Sequence, residues 1–559
     1  KQFNDQVLLT LGFVYILSNL ALWVWGPFPL LGVVPPYLNF SIEMGRLNFP
    51  AYRLALLGFG LAVAAGLWWL QEKTRAGAIV RAGMDDQEMT LGLGINYRLV
   101  SSAVFFLGAF IAGFAGFIGA PLTSASWDMG FPTLILALIV VVIGGVGRVE
   151  GTLAGALLIG LIDSLGKTFF PDFALFTIYI FFIAVLLFRP AGLFGKFHVG
   201  GAAPPPSAVH VERRGPLRRF RHQWQERALH WGPLLGLGAA LLLLPPFVEP
   251  YMRTWMTQLL IYGLFALSLN LLFGYTGLFS LGHAAFFGVA AYTSAILSVN
   301  LGLNNFWLLL AAGVLVATLT AAVFGLVALR VSGVYFLFVT LALAELLAAV
   351  AMRWVDLTGG SNGIFGVLYP SLGLPIRLNQ VSFYYLVLAV VALAALLLYR
   401  IVRSPFGLAL QGIRDDEGRM RHLGYNTWLF KYLAFLISGA FAGVAGVLFA
   451  PFSGTVVPGF LGAATSSVVM LMIIIGSTRV FLGPLLGAAL ILFLEYYISL
   501  YVPERWPLVL GAVFVLAVLF LPGGLGVYLN RWWGRLRYTR PASPDAPGRM
   551  RDLGLEIGD

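Results

Sequence analysis

Apolar runs dominate the chain, and short polar segments punctuate them. Windows long enough to cross about 30 Å of hydrocarbon cover roughly residues 5–25, 51–70, 99–120, 131–146, 151–167 and 173–188. A second series covers roughly 232–249, 254–272, 277–297, 306–329, 334–352, 382–400, 432–450, 465–476, 483–500 and 507–521. The pattern predicts an all-α polytopic membrane protein with about 16 transmembrane helices in this chain.

Charge orients these helices. Basic residues collect at 71–98 (Lys73, Arg75, Arg81, Arg98), at 189–231, at 400–431 and beyond Pro522, and these four segments hold 24 of the 35 Lys and Arg. An even number of crossings separates any two of them, so one assignment places all four in the cytoplasm. Loops 26–50 and 353–381 then face outward. The net charge of +11 follows from this topology and does not imply nucleic-acid binding. A composition of 59% hydrophobic and 11% charged residues excludes an ordinary soluble protein, in which about a quarter are charged. With no Cys in the sequence, disulfides, thiolate metal sites and cysteine nucleophiles are excluded as well.

The chain repeats itself. At an offset of 330, Gly77, Asp85, Asp86, Gly94 and Asn96 meet Gly407, Asp415, Asp416, Gly424 and Asn426, and Ala112, Gly113, Gly116 and Pro121 meet Ala442, Gly443, Gly446 and Pro451. At 331, Arg148 meets Arg479; at 332, Gly151 and Gly155 meet Gly483 and Gly487, and FRPAGL at 188–193 meets FLPGGL at 520–525. Matching loops carry matching charge, so the halves are parallel and pseudo-symmetric, with a pathway expected at their interface. The expected domains are a first half at 1–196, a Pro- and Arg-rich cytoplasmic linker at 197–231, a second half at 232–528 and a basic cytoplasmic tail at 529–559. Because Thr10 aligns with Thr340, residues 232 to about 330 have no counterpart, and about 100 residues are expected to precede Lys1.

Three groups of residues carry candidate chemistry. Ala112, Gly116 and Ala120, with Ala442, Gly446 and Ala450, recur every four residues, the spacing that lets helix backbones approach. RAGMDDQEMTLGLGIN (81–96) and QGIRDDEGRMRHLGYN (411–426) are short charged helices between spans; they read either as solvated loops or as docking elements for a dimeric partner. His283, Glu345, Asp163 and Glu495 are ionisable groups within spans, a functional signal by default. Asp163 can instead pair with Lys167 one turn on, and His283 can serve as a helix-to-helix hydrogen bond. GLIDSLGKT (160–168) is one residue too long for a phosphate-binding loop, and no HExxH is present. No catalytic group, metal set or cofactor site is expected in this chain, and any ATP is bound by another subunit.

GYTGLFSLGHAAFFGVAAYTSAIL (274–297), SPFGLALQGIRDDEGRMRHLGYN (404–426) and AFLISGAFAGVAGVLFA (434–450) closely resemble the M-type permease of branched-chain amino-acid ABC importers. GAIVRAGMDDQEMTLGLGIN (77–96), IGGVGRVEGTLAGALLIG (143–160) and RPAGLFG (189–195) are similar to the H-type partner, whose own N-terminal signature is missing here. The resemblance implies a fused pair in the bacterial or archaeal cytoplasmic membrane. Its implied partners are two ABC ATPases, an extracytoplasmic substrate-binding protein and a small-molecule substrate. It implies ATPase coupling through Arg81, Asp85, Asp86, Gly94, Asn96, Arg414, Asp415, Asp416, Gly424 and Asn426. It also implies a substrate pathway near Tyr275, Ser280, Gly282 and His283, with Gly277 opening the GxxSxGH signature. The expected activity is inward movement of aliphatic amino acids by alternating access. Similar permeases import urea or short amides, and an ion-coupled secondary transporter is the alternative of another class.

Overall fold

The computed structural model describes residues 3–44, 47–145, 147–189, 192–194, 238, 241–373, 378–502, 505–520 and 523–528. The expected linker and tail lie outside the described residues, as does much of the window at 232–249.

The first half runs α1 (Phe3–Trp25), α2 (Ala51–Lys73), α3 (Arg75–Asp85), α4 (Gln87–Gly92), α5 (Tyr97–Thr123), α6 (Gly130–Gly144), α7 (Val149–Phe169) and α8 (Ala174–Phe188). The second half opens with α9 (Pro250–Asn270), which passes into a π-helical segment at Leu271–Thr276, then α10 (Ala284–Ala295) and α11 (Phe306–Ala328). It continues with α12 (Val334–Arg353), α13 (Gln380–Arg403), α14 (Pro405–Asp415), α15 (Glu417–His422), α16 (Thr427–Ser453), α17 (Ala463–Gly476), α18 (Gly483–Tyr501) and α19 (Trp506–Phe520). Among the described residues, nine helices are long and apolar enough to cross a membrane, and six shorter apolar helices fall in further expected windows, leaving the window at 232–249, much of it outside the described residues. The protein is a multi-pass, all-helical membrane protein. Apart from isolated bridges between Leu30 and Ala125 and between Asn305 and Ser371, strand pairing in the described residues is two short antiparallel ribbons, Ser41–Met44 with Leu47–Pro50 and Ile364–Phe365 with Thr455–Val456.

The repeat is visible in the helix bounds. Elements α3, α4 and α5 coincide with α14, α15 and α16 at an offset of 330, and α8 coincides with α19 at 332. In both halves a glycine pair lets consecutive helices touch backbone to backbone: a Cβ on Gly144 would collide with Gly151, and one on Gly476 with Gly483. The turn between these helices needs a positive φ, which Gly145 (97°) supplies in one copy and Ser477 (115°) in the other. Large side chains are excluded from such crossings, so the sequence spacing of small residues sets the helix separation.

The small-residue columns behave differently in the two copies. On α16, Gly439 and Gly443 meet Ala321 and Ala317 of α11, and Gly446 meets the Phe287 carbonyl of α10. On α5, a Cβ at Gly113 or Gly116 would meet open space. Close packing is therefore confirmed for α16, where α9, α10 and α11 bury that face, while the equivalent face of α5 is exposed.

The halves join by exchanging contacts. Helix α1 of the first half packs on α19 of the second, and α12, the repeat partner of α1, packs on α8, the repeat partner of α19. Gly12 and Gly511 sit face to face at the first seam, where a Cβ on Gly511 would lie 2.7 Å from the Gly12 carbonyl. Tyr15 stacks on Phe514 with centroids 6.1 Å apart, and Arg505 covers the Trp23 ring at 5.0 Å. One contiguous apolar core includes Ile139, Val142 and Phe182 from the first half and Leu264, Phe286 and Phe435 from the second.

Candidate functional site

The duplicated polar segments form two helix–turn–helix units built by one set of local rules. Thr74 and Ser404 cap α3 and α14 by accepting from the Gly77 and Gly407 amides. Asp86 and Asp416 cap α4 and α15, accepting from Met89 and Arg419 at 2.9 Å each. Gly94 and Gly424 turn the chain at φ of 80° and 86°, a conformation that costs a Cβ-bearing residue energy. Asn96 and Asn426 then cap α5 and α16 by accepting from Leu99 at 3.3 Å and Leu429 at 3.1 Å. Side-chain caps of this kind are each worth about 1 kcal/mol. Asp86, Asp416, Gly94, Gly424, Asn96 and Asn426 are thus committed to shaping the two units. The side chain of Asp85 lies outside the described residues.

The two units anchor differently to their spans. Arg81 donates to the Gln71 carbonyl and pairs with Glu72 at 3.2 Å at the end of α2. Arg414 instead reaches across to the second half's broken helix, donating to the Gly274 carbonyl at 2.6 Å while its guanidinium also holds Asp415 at 2.9 Å. A Cβ on Gly277 would lie 2.8 Å from the Arg414 side chain, so glycine is needed there for this approach. Glu417 gathers Arg421 at 2.7 Å, Lys431 at 2.8 Å and Thr427 at 3.0 Å on one oxygen. Burial pushes its carboxyl up, but Lys431, Arg421 and Thr427 outweigh that and hold it below the usual carboxylate range.

Among the charged side chains on the outer face of these units, large apolar ones are also exposed. Met84, Met89 and Leu93 are exposed on the first, and Leu408, Leu423 and Tyr425 on the second, with the repeat-equivalent Leu93 and Leu423 at 71% and 66% exposure. Sequence reasoning concentrated on the charged residues and missed these. The available signal was large apolar residues recurring within segments too polar to be spans.

The GxxSxGH segment is a hub of helix contacts. Tyr275 is half-buried at its start, while Ser280, Gly282 and His283 are buried. Gly282 meets the Thr340 carbonyl of α12 so closely that a Cβ would collide with it. The Ser280 hydroxyl accepts from the Gly282 amide at 3.3 Å, and the Ala284 amide donates to Ser466 of α17 at 2.9 Å. His283 Nε2 shares a hydrogen bond of 3.0 Å with Ser268 of α9, whose carbonyl accepts from Ser438 of α16 at 2.5 Å. The imidazole lies between Phe265, stacked at 5.6 Å, and Phe286, edge-on at 5.4 Å. Four helices are thereby tied to one short loop, and Arg414 ties that loop to α14.

Of the other ionisable groups within spans, Asp163 pairs with Lys167 at 2.6 Å. Glu495 lines a groove with Tyr251, Trp255, Gln258 and Tyr496. No group of three or more metal-ligating side chains occurs among the described residues.

Known proteins are similar to parts of this chain. The family described as "Branched-chain amino acid transport system / permease component" matches residues 4–186 and again 251–518, the two halves of the repeat. The high-affinity branched-chain amino acid transport system permease protein LivM of Salmonella typhimurium is 33% identical over 292 residues, spanning 48% of this chain and 68% of that protein. LivH of the same organism is 25% identical over 284 residues, spanning 47% and 90%. BraD of Pseudomonas aeruginosa, a permease of the same description, is 30% identical over 176 residues, spanning 31% and 53%. Relatives of both the H and the M type match a single fused chain. With both halves matched, the protein belongs to the branched-chain amino acid transport system permease family.

Proposed function

We propose that this chain is the membrane-spanning permease of an ATP-driven importer, moving branched-chain aliphatic amino acids inward by alternating access between its halves. The observation that carries this reading is the pair of repeat-equivalent helix–turn–helix units, each presenting apolar side chains between membrane spans. Two equivalent sockets on a pair of ATPase subunits match two such units. ATP hydrolysis is then done by those subunits, and the permease supplies two states and a path. A loaded substrate-binding protein docks at the opposite face, and the units, linker and tail lie in the cytoplasm.

Contacts within the second half give the motion a route. A push on α14 reaches the Gly274 carbonyl through Arg414, and the adjoining loop bears on α12 at Thr340 and on α17 at Ser466. Tyr275, Ser280, Gly282 and His283 act along this route. The loop transmits displacement because it is buried and meets the Thr340 carbonyl with no room for a side chain between.

The test is ATP-driven leucine uptake into proteoliposomes carrying the chain with its ATPases and binding protein, comparing wild type with Leu93→Asp plus Leu423→Asp. Loss of uptake together with loss of ATPase co-purification is expected. Uptake that persists without ATPases, or follows an imposed ion gradient, sinks the reading; ATP-dependent uptake of urea in place of leucine keeps the machine and changes its cargo.

A further inference from the structure

The seam between the halves holds a carboxylate with no cation beside it among the described residues. Glu345 sits midway along α12, where an ionised side chain is costly and persists only with a role or a partner. One oxygen accepts from the Ala463 amide at 3.0 Å, at the start of α17. The other accepts from no described residue and is not sealed off by its surroundings. None of the ion pairs formed by the described residues involves it.

The surroundings come from both halves. The second seam sets α8, which carries Tyr179, against α12, which carries Glu345. Tyr15 of α1 occupies the position repeat-equivalent to Glu345. The first turn of α17 is held by Glu345 through the Ala463 amide. Ser466, in the same turn, is the residue that receives the amide of the GxxSxGH loop.

Capping of α17 does not by itself account for a carboxylate here. The repeat-equivalent helix α6 starts with no side-chain cap at all, and its half carries Tyr15 where Glu345 would stand. A carboxylate present in one copy only, half-buried at the interface of parallel repeats, sits where such folds bind their cargo. In a low-dielectric setting its natural complement is a primary ammonium, which supplies charge and three donors together.

We propose that Glu345 receives the ammonium group of a zwitterionic substrate at the α8–α12 seam between the halves. This rests on the importer reading above. It makes Glu345 a selectivity residue, because an uncharged amide gains nothing from a carboxylate there.

The test uses the full chain reconstituted with its ATPases and leucine-loaded binding protein, and measures leucine moved per ATP hydrolysed. Glu345→Gln keeps an oxygen for the Ala463 amide but removes the charge. We expect at least a tenfold fall in that ratio, with binding-protein-stimulated ATP hydrolysis within twofold of wild type, an unchanged melting midpoint, and partial recovery in Glu345→Asp. An unchanged ratio overturns the inference. A joint fall in hydrolysis and melting midpoint overturns it too, by making Glu345 a helix cap. Wild-type uptake that depends on an imposed proton gradient, with the dependence gone in Glu345→Gln, replaces the ammonium role with a proton route. Wild type lacking ATP-dependent uptake removes the importer reading and this inference with it.

Discussion

Arg414 offers the sharpest perturbation, because the first half supplies its own control. The repeat-equivalent residue is Met84, so Arg414→Met gives the second unit the side chain the first already uses. The substitution removes the 2.6 Å bond to the Gly274 carbonyl. A hydrogen bond to a charged group contributes about 1.5–3 kcal/mol. The contact with Asp415, whose side chain is 62% exposed, adds little, about 0–1 kcal/mol before screening by salt. If the Gly274 contact is what couples α14 to the loop, its loss lowers coupling by about 10- to 150-fold at 1.36 kcal/mol per decade. The assay is the ratio of leucine imported to ATP hydrolysed in proteoliposomes, with ATPase co-purification measured alongside. Expected is a fall in the ratio with co-purification intact. Arg414→Lys should recover part of it, since an ammonium reaches one acceptor where the guanidinium holds two. A ratio within twofold of wild type for Arg414→Met refutes coupling through the Gly274 contact, and loss of the ATPases would move Arg414 to the docking surface.

Other expectations follow from the same geometry. Because the Glu417 carboxyl is held below its ordinary 4.5, its network stabilises the fold fully above that value and loses this as pH falls through the lowered one. The melting midpoint of Glu417→Gln should therefore lie below wild type at pH 7, and the gap should close under acid conditions; a gap constant with pH counts against the network. Gly446→Ala drives a methyl into the Phe287 carbonyl and should cost about 1–3 kcal/mol, whereas the repeat-equivalent Gly116→Ala meets open space and should leave the melt unchanged. His283→Leu removes the bond to Ser268 and should destabilise by about 1 kcal/mol, since the Ser268 hydroxyl keeps the Phe265 carbonyl; a melt equal to wild type contradicts this.

The fold was legible because membrane helices announce themselves. A span must be long and apolar, and a duplicated span must be so twice, so most spans followed from hydropathy and the offset, while the non-helical start of the expected span at 277–297 did not. Site chemistry was harder to read for a physical reason. Asp86, Gly94 and Asn96 stood out because they recur, yet recurrence marks what the turn needs, and in the structure they are caps and a left-handed turn. The residues that differ between copies carry the asymmetry: Arg414 against Met84, and Glu345 against Tyr15. A self-comparison rewards identity and so passes over them. Contacts between residues distant in sequence, such as Arg414 with Gly274 or Glu345 with Ala463, leave no spacing to detect.

The exchanged seams also set a schedule for biogenesis. Gly12 leaves the ribosome 499 residues ahead of Gly511, which at about 5–20 residues per second is a wait of about 25–100 s. Tyr179 and Glu345 are only 166 residues apart, so the α8–α12 seam can close about 8–33 s after α8 is made. Until α19 arrives, the face of α1 bearing Gly12 and Tyr15 must rest against lipid or the insertion machinery. A nascent chain that stops anywhere before Trp506 keeps that face open, so the two halves are joined first at one seam and only later, when α19 is made, at the other.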